Sequence, residues 1–103
     1  MHIHTVFFWL KPNVSDADRH LFEKGLDKLT LDPEVMQRHI GKPASTHRDV
    51  IDNSYDFGIS LCFESLDSHN RYQKGEAHQD FLENCMDLWT QVKVYDIKDT
   101  STQ

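Results

Sequence analysis

His4, Tyr72, His78 and Asp96 are the residue types, at the positions, from which proton-transfer chemistry could be built. An imidazole titrates near neutral pH, so a carboxylate that fixes one ring nitrogen as a donor leaves the other as a general base. A phenol close by can hydrogen-bond a developing enolate oxygen. Together these groups suggest abstraction of a proton next to a carbonyl. The plainer alternative is a satisfied buried network in which His78, Asp96 and Tyr72 hydrogen-bond one another and hold helix to sheet. A third reading is a metal. His2 and His4 are two apart on a strand and share a face, with Asp96 and His78 able to complete a site. Against it, His2 stands at a fraying terminus and strand His-x-His pairs are common by chance, so no metal and no cofactor is assigned.

The remaining histidines, His20, His39, His47 and His69, have no partner at a usable spacing and are expected to face solvent. His47-Arg48 could guide an anion, but reads better as a solvated loop pair. Cys62 and Cys85 fit no CxxC pattern and sit in apolar stretches, as buried thiols do. Trp9 and Trp89 read as core or interface anchors rather than platforms for a stacked ligand.

The elements that must position these groups follow from the hydrophobic pattern. From His2 to Leu10 both phases are rich in apolar β-formers, so this strand is covered on both faces. Pro12-Asn13 breaks it, and Ser15 followed by Asp18 opens an amphipathic helix to about Leu29, with Ala17, Leu21, Phe22, Leu26 and Leu29 as its apolar stripe. Asp16 and Asp18 complement the helix N-terminus. Val35 to Lys42 is a weaker strand, expected at a sheet edge. Gly41 to Ser54 reads as a loop, extended around Val50 and Ile51 and long enough to serve as a lid. Tyr55 to Phe63 is a clear strand with Tyr55, Phe57, Ile59, Leu61 and Phe63 on one phase. A short helix through about Tyr72 breaks at Gly75, and a second runs from about Ala77 to Leu88. Gln91 to Lys98 is the last strand.

The order β-α-β-β-α-β calls for a four-stranded antiparallel sheet with the helices on one face, an α+β, ferredoxin-like arrangement in one domain over 1–103 with its core at about 2–98. One sheet face is then bare. Because the first strand is apolar on both sides, that face needs a cover, and a homodimer joining two sheets as a dimeric α/β barrel supplies it. In an antiparallel pair the start of the first strand lies beside the end of the last, which brings His4 near Asp96. His78 shares a helix face with Phe81, Leu82 and Cys85 and so points inward.

Composition sets outer limits. The chain has 103 residues, 38% of them hydrophobic, enough for one core. The longest apolar run, Val6 to Leu10, is far short of a membrane span. A formal charge of −6 with scattered Lys and Arg disfavours nucleic acid and anionic membranes as partners. The N-terminus lacks a basic region before its apolar run, so a cytoplasmic location is the default expectation.

Several short motifs occur in an order and spacing that chance rarely produces. They are His4 opening the first strand, Leu10-Lys11-Pro12 closing it, Asn53-Ser54-Tyr55-Asp56, Phe63-Glu64-Ser65, Ala77-His78 and Tyr95-Asp96. In these the chain resembles the stress-responsive α/β-barrel (Dabb) family over roughly residues 2 to 98. The resemblance implies the same dimeric α+β barrel. The family includes a cofactor-free polyketide cyclase that performs an aldol condensation, alongside stress proteins and members of unknown activity. The resemblance carries that cyclase's helical histidine and tyrosine onto His78 and Tyr72, and its neighbouring strand histidine and aspartate onto His4 and Asp96. Where the common signature is His-Pro-x-His, this chain reads Gly75-Glu76-Ala77-His78 and keeps only the second histidine.

Three functions compete. One is a cofactor-independent lyase or cyclase that uses His78 with Tyr72, supported by His4 and Asp96, on a small carbonyl compound. The second is a non-catalytic, stress-associated structural or ligand-binding dimer. The third borrows from cofactor-free monooxygenases of similar fold and would consume oxygen.

Overall fold

In the computed structural model, which describes residues 1–101, strand β1 (His2–Leu10) alternates strictly between buried and half-buried positions. Thr102 and Gln103 of the expected domain lie outside the described residues. Helix α1 (Asp16–Leu29) follows, begun by a capping box in which the Ser15 hydroxyl accepts from the Asp18 amide and the Asp18 carboxylate accepts from the Ser15 amide. Then come β2 (Gln37–Gly41), β3 (Phe57–Phe63), α2 (Leu66–Lys74), α3 (Glu76–Cys85), a 3-10 turn at Met86–Leu88, and β4 (Trp89–Lys98).

The strands form one antiparallel sheet in the order β2-β3-β1-β4. This is the α+β, ferredoxin-like architecture expected, with β2 at an edge. Several element ends differ from the sequence pattern, β2 and β3 being shorter than expected. α3 stops at Cys85 rather than Leu88, because a 3-10 turn takes up Met86–Leu88, and β4 opens at Trp89 rather than Gln91. Around Val50 and Ile51 there is a turn rather than an extended segment, with Ile51 N–H donating to the Arg48 carbonyl.

His2, His4, Val6, Phe8 and Leu10 of β1 face the helices, as do Phe57, Ile59, Leu61 and Phe63 of β3. Phe22 and Leu26 of α1 and Phe81 and Cys85 of α3 close over them. Phe8, Phe22, Phe81 and Trp89 form an aromatic cluster, with the Phe8 and Phe22 rings edge-to-face at 5.1 Å. Phe8, Phe22 and Phe81, the buried rings of this cluster, each contribute about 2–3 kcal/mol of transfer free energy. α1 and α3 approach closely at Gly25, where a Cβ would lie 2.7 Å from Cys85 Sγ.

The opposite phase of β1, Ile3, Thr5, Phe7 and Trp9, lines the face without helices, and Tyr95 and Ile97 of β4 lie more than half exposed beside it. The long loop before β3 lies across this face. Tyr55 packs on Phe7 at 4.7 Å between ring centroids, and Trp9 Nε1 donates to Ser54 Oγ at 3.0 Å. Tyr55 therefore departs from the strand phase that it shares in sequence with Phe57, because the strand starts only at Phe57. The loop is no lid over the helix-covered side.

Candidate functional site

Between the sheet and helices α2 and α3 lies a cavity of about 210 Å³, walled by His4, Val6, Phe8, Phe81, Leu82 and Trp89 and entered by Tyr72 and His78. Val94 of β4 also lines it and is 48% exposed, marking where the space meets solvent. A wider but shallower depression of about 290 Å³ on the opposite sheet face is lined by Phe7 and Gly58 with His39, Lys42 and Tyr55.

Local structure aims the two helical groups. Ser65 and Ser68 form a capping box that starts α2, and the resulting phase turns Ser68, His69 and Tyr72 toward the sheet. Gly75 then breaks the helix, with backbone in the extended region, and α3 restarts at once so that His78 comes back over Tyr72. Their rings meet edge-to-face at 5.5 Å between centroids. Neither side chain hydrogen-bonds another among the described residues, and no sealed polar atom goes unpaired, so their polar atoms reach the cavity. Burial pushes the Tyr72 phenol far above its usual pKa, with Asp32 adding to the effect. The His78 imidazole is lowered, first by burial and then by nearby His69. At neutral pH the pair is therefore a neutral phenol beside a neutral imidazole.

The other two expected residues are neighbours, as the antiparallel pairing requires. His4 and Asp96 are register partners on β1 and β4, and His4 Nδ1–H donates to Asp96 Oδ1 at 2.6 Å. Asp96 reaches neither Tyr72 nor His78 by a hydrogen bond, so the buried network expected among those three does not form. A different one does. His2 Nε2–H also donates to Asp96 Oδ1, at 3.0 Å, and His69 Nε2 lies 3.2 Å from His4 Nδ1 and 3.8 Å from the same carboxylate oxygen. Burial lowers the His4 imidazole, and Asp96 restores it only in part. Partial burial raises the Asp96 carboxyl, but the hydrogen bonds from His4 and His2 outweigh that and hold it below the ordinary value.

His69 corrects the expectation of a solvent-facing side chain: it is 6% exposed and packs between His2, His4 and Phe63. The signal was available, since His69 stands three residues before Tyr72 and so shares its helix face. His2 is likewise no fraying end, being buried and paired with both Phe63 and Lys98. Cys85 is buried as expected, and burial raises its thiol pKa, whereas Cys62 is only half-buried. Among the described residues no helix is long and apolar enough to cross a membrane.

The Stress responsive A/B Barrel Domain (Dabb) model matches residues 3–99. No curated protein matches the chain in sequence. Among solved structures, a protein from Arabidopsis thaliana is 25% identical with a TM-score of 0.81, covering 100% of this chain and 99% of that one. A dimeric ferredoxin-like protein of unknown function from Thermobifida fusca is 18% identical with a TM-score of 0.76, over 93% and 88% of the two chains. A hydroxynitrile lyase from Passiflora edulis is 14% identical with a TM-score of 0.77, over 99% and 96%. At those identities the last two likenesses are likenesses of fold.

Proposed function

The chain belongs to the stress-responsive A/B barrel (Dabb) family, and from that premise we propose that it is a homodimer acting as a cofactor-independent lyase or cyclase on a small carbonyl compound. The observation that carries the reading is the meeting of Tyr72 and His78, both without a hydrogen-bond partner among the described residues, in one apolar cavity. A dry cavity of about 150 Å³ is known to take benzene, so about 210 Å³ suits a single ring or a short chain.

His78, kept neutral by burial, takes the proton from the carbon next to the substrate carbonyl. The C–H electron pair passes onto the carbonyl oxygen, and the Tyr72 phenol, kept protonated, donates a hydrogen bond to that enolate oxygen. In a cyclase the enolate carbon then attacks a second carbonyl of the same molecule, whose π electron pair passes to its oxygen, and that alkoxide takes the proton held by His78. His4 forms part of the wall, and Asp96 fixes its ring by accepting from Nδ1. The hydroxynitrile lyase of Passiflora edulis supports a lyase at the level of scaffold only. The homodimer is supported by the bare face of Phe7, Trp9, Tyr95 and Ile97 and by the dimeric Thermobifida fusca protein of the same fold.

The test is exchange of the α-hydrogens of small ketones such as acetophenone in deuterated water, followed by NMR. His78→Gln should abolish exchange and Tyr72→Phe should slow it, with circular dichroism and chain mass unchanged. Exchange by His78→Gln at the full rate sinks the assignment. If neither variant nor parent exchanges, yet His78→Gln weakens acetophenone binding, the cavity is a binding site without turnover.

A further inference from the structure

We infer that His2, His4, His69 and Asp96 form a binding site for a zinc-type divalent ion, adjoining the Tyr72–His78 cavity through the His4 ring. One ligand atom from each, three imidazole nitrogens and a carboxylate oxygen, lie all within 4.8 Å of one another. Four of the separations are 2.6, 3.0, 3.2 and 3.8 Å. Ligands about 2.0–2.1 Å from a tetrahedral zinc ion lie about 3.3–3.4 Å apart, which is near the middle of those distances. An inward adjustment of His69 and an outward one of His4 bring these four toward that value, and the His2–His4 and His2–His69 separations lie within 4.8 Å.

The placement of protons in the cluster favours an ion site. A carboxylate only accepts, so in the absence of an ion the facing nitrogens of His2 and His4 both carry hydrogens. His69 Nδ1 lies 3.2 Å from Asn70 Oδ1, an acceptor, so Nδ1 carries the hydrogen and Nε2 is left as a lone pair. That lone pair points at a hydrogen already given to Asp96 at 2.6 Å and at the Asp96 oxygen itself. The His69 nitrogen and the Asp96 oxygen thus both face the one His4 hydrogen, with no further proton between them. A cation between them relieves this, and His2 and His4 need only move a proton to their other ring nitrogen to join in.

The surroundings agree with a metal centre. Asn70 orients His69 as outer partners of metal-bound histidines do. The three histidines are buried, whereas the Asp96 side chain is 41% exposed on edge strand β4 and gives an ion its way in. Imidazole with a single carboxylate favours zinc and its neighbours over magnesium or calcium, which require mostly oxygen ligands. With four protein ligands the site is closed, so its effect is to tie the start of β1, the first turn of α2 and the end of β4 together.

The experiment uses the full chain without an affinity tag, stripped with EDTA and then titrated with zinc chloride and, in parallel, cobalt(II). One ion per chain is expected, with the intense visible bands of tetrahedral cobalt and a raised melting temperature. His69→Gln and Asp96→Asn should each weaken zinc binding at least tenfold, while His39→Gln, outside the cluster, should bind as the parent does. Should His69→Gln fail to fold, His2→Gln at the strand end carries the same expectation. No binding by the folded parent, a pale octahedral cobalt spectrum, or equal affinity in the cluster variants would overturn the inference. α-Hydrogen exchange by Tyr72 and His78 is scored independently of every one of these outcomes.

Discussion

His4 and Asp96, at opposite ends of the chain, are register partners on β1 and β4 whose side chains meet at 2.6 Å on the helix-covered face of the sheet. The same carboxylate oxygen accepts from His2 at 3.0 Å. Removing it leaves two buried imidazole N–H groups unpaired, so Asp96→Ala should cost about 1–3 kcal/mol of stability. Asp96→Asn keeps an acceptor and should cost less. Urea denaturation in the presence of EDTA measures both, and equal stability of all three chains would contradict the network.

Burial lowers the His78 pKa in the folded protein. An unfolded histidine titrates near 6.5. The folded state therefore binds fewer protons than the unfolded one over the window from about 6.5 down to the lowered value. The stability this group contributes is present in full above about 6.5 and is lost as pH falls through that window. The same shift sets the acidic limb of α-hydrogen exchange, whose midpoint should lie below the ordinary imidazole value. A midpoint above about 6.5 would show that another group is the base.

The bare sheet face predicts association. Static light scattering should report twice the 12.1 kDa chain mass at micromolar concentration. Phe7 sits at the centre of that face, between Tyr55 and Tyr95, and Phe7→Asp should halve the mass while far-UV circular dichroism stays native. A parent chain that scatters as a single protomer would remove the barrel from the account.

Gly25 allows α1 to touch α3, because an added methyl would meet Cys85 Sγ at 2.7 Å. Gly25→Ala gains helix propensity of about 1 kcal/mol, but overpacking a buried contact costs about 1–3 kcal/mol. The net should be destabilising by up to about 2 kcal/mol. Adding Cys85→Ala should recover part of that loss, since it empties the space that the methyl needs. Thermal melts of the single and double variants decide it, and a stabilised Gly25→Ala would show that the two helices move apart freely.

Local pattern carried the element order, because periodicity, capping residues and breakers act within a few positions of one another. The two-sided apolar character of β1, the edge position of β2 and the nearness of His4 to Asp96 all followed from strand phase and antiparallel pairing. Tertiary structure alone decided what depends on how a helix is rotated against the sheet. His69 reads as polar surface until the α2 capping phase and the packing of Tyr72 turn it inward, and only then do four ligating side chains from three elements converge. The side of the sheet that the Tyr55 loop covers was likewise undetermined by alternation, because Tyr55 precedes the strand whose phase it shares in sequence. Sequence spacing describes neighbours along one element, whereas a site built across β1, α2 and β4 is settled by the long-range packing that buries their common face.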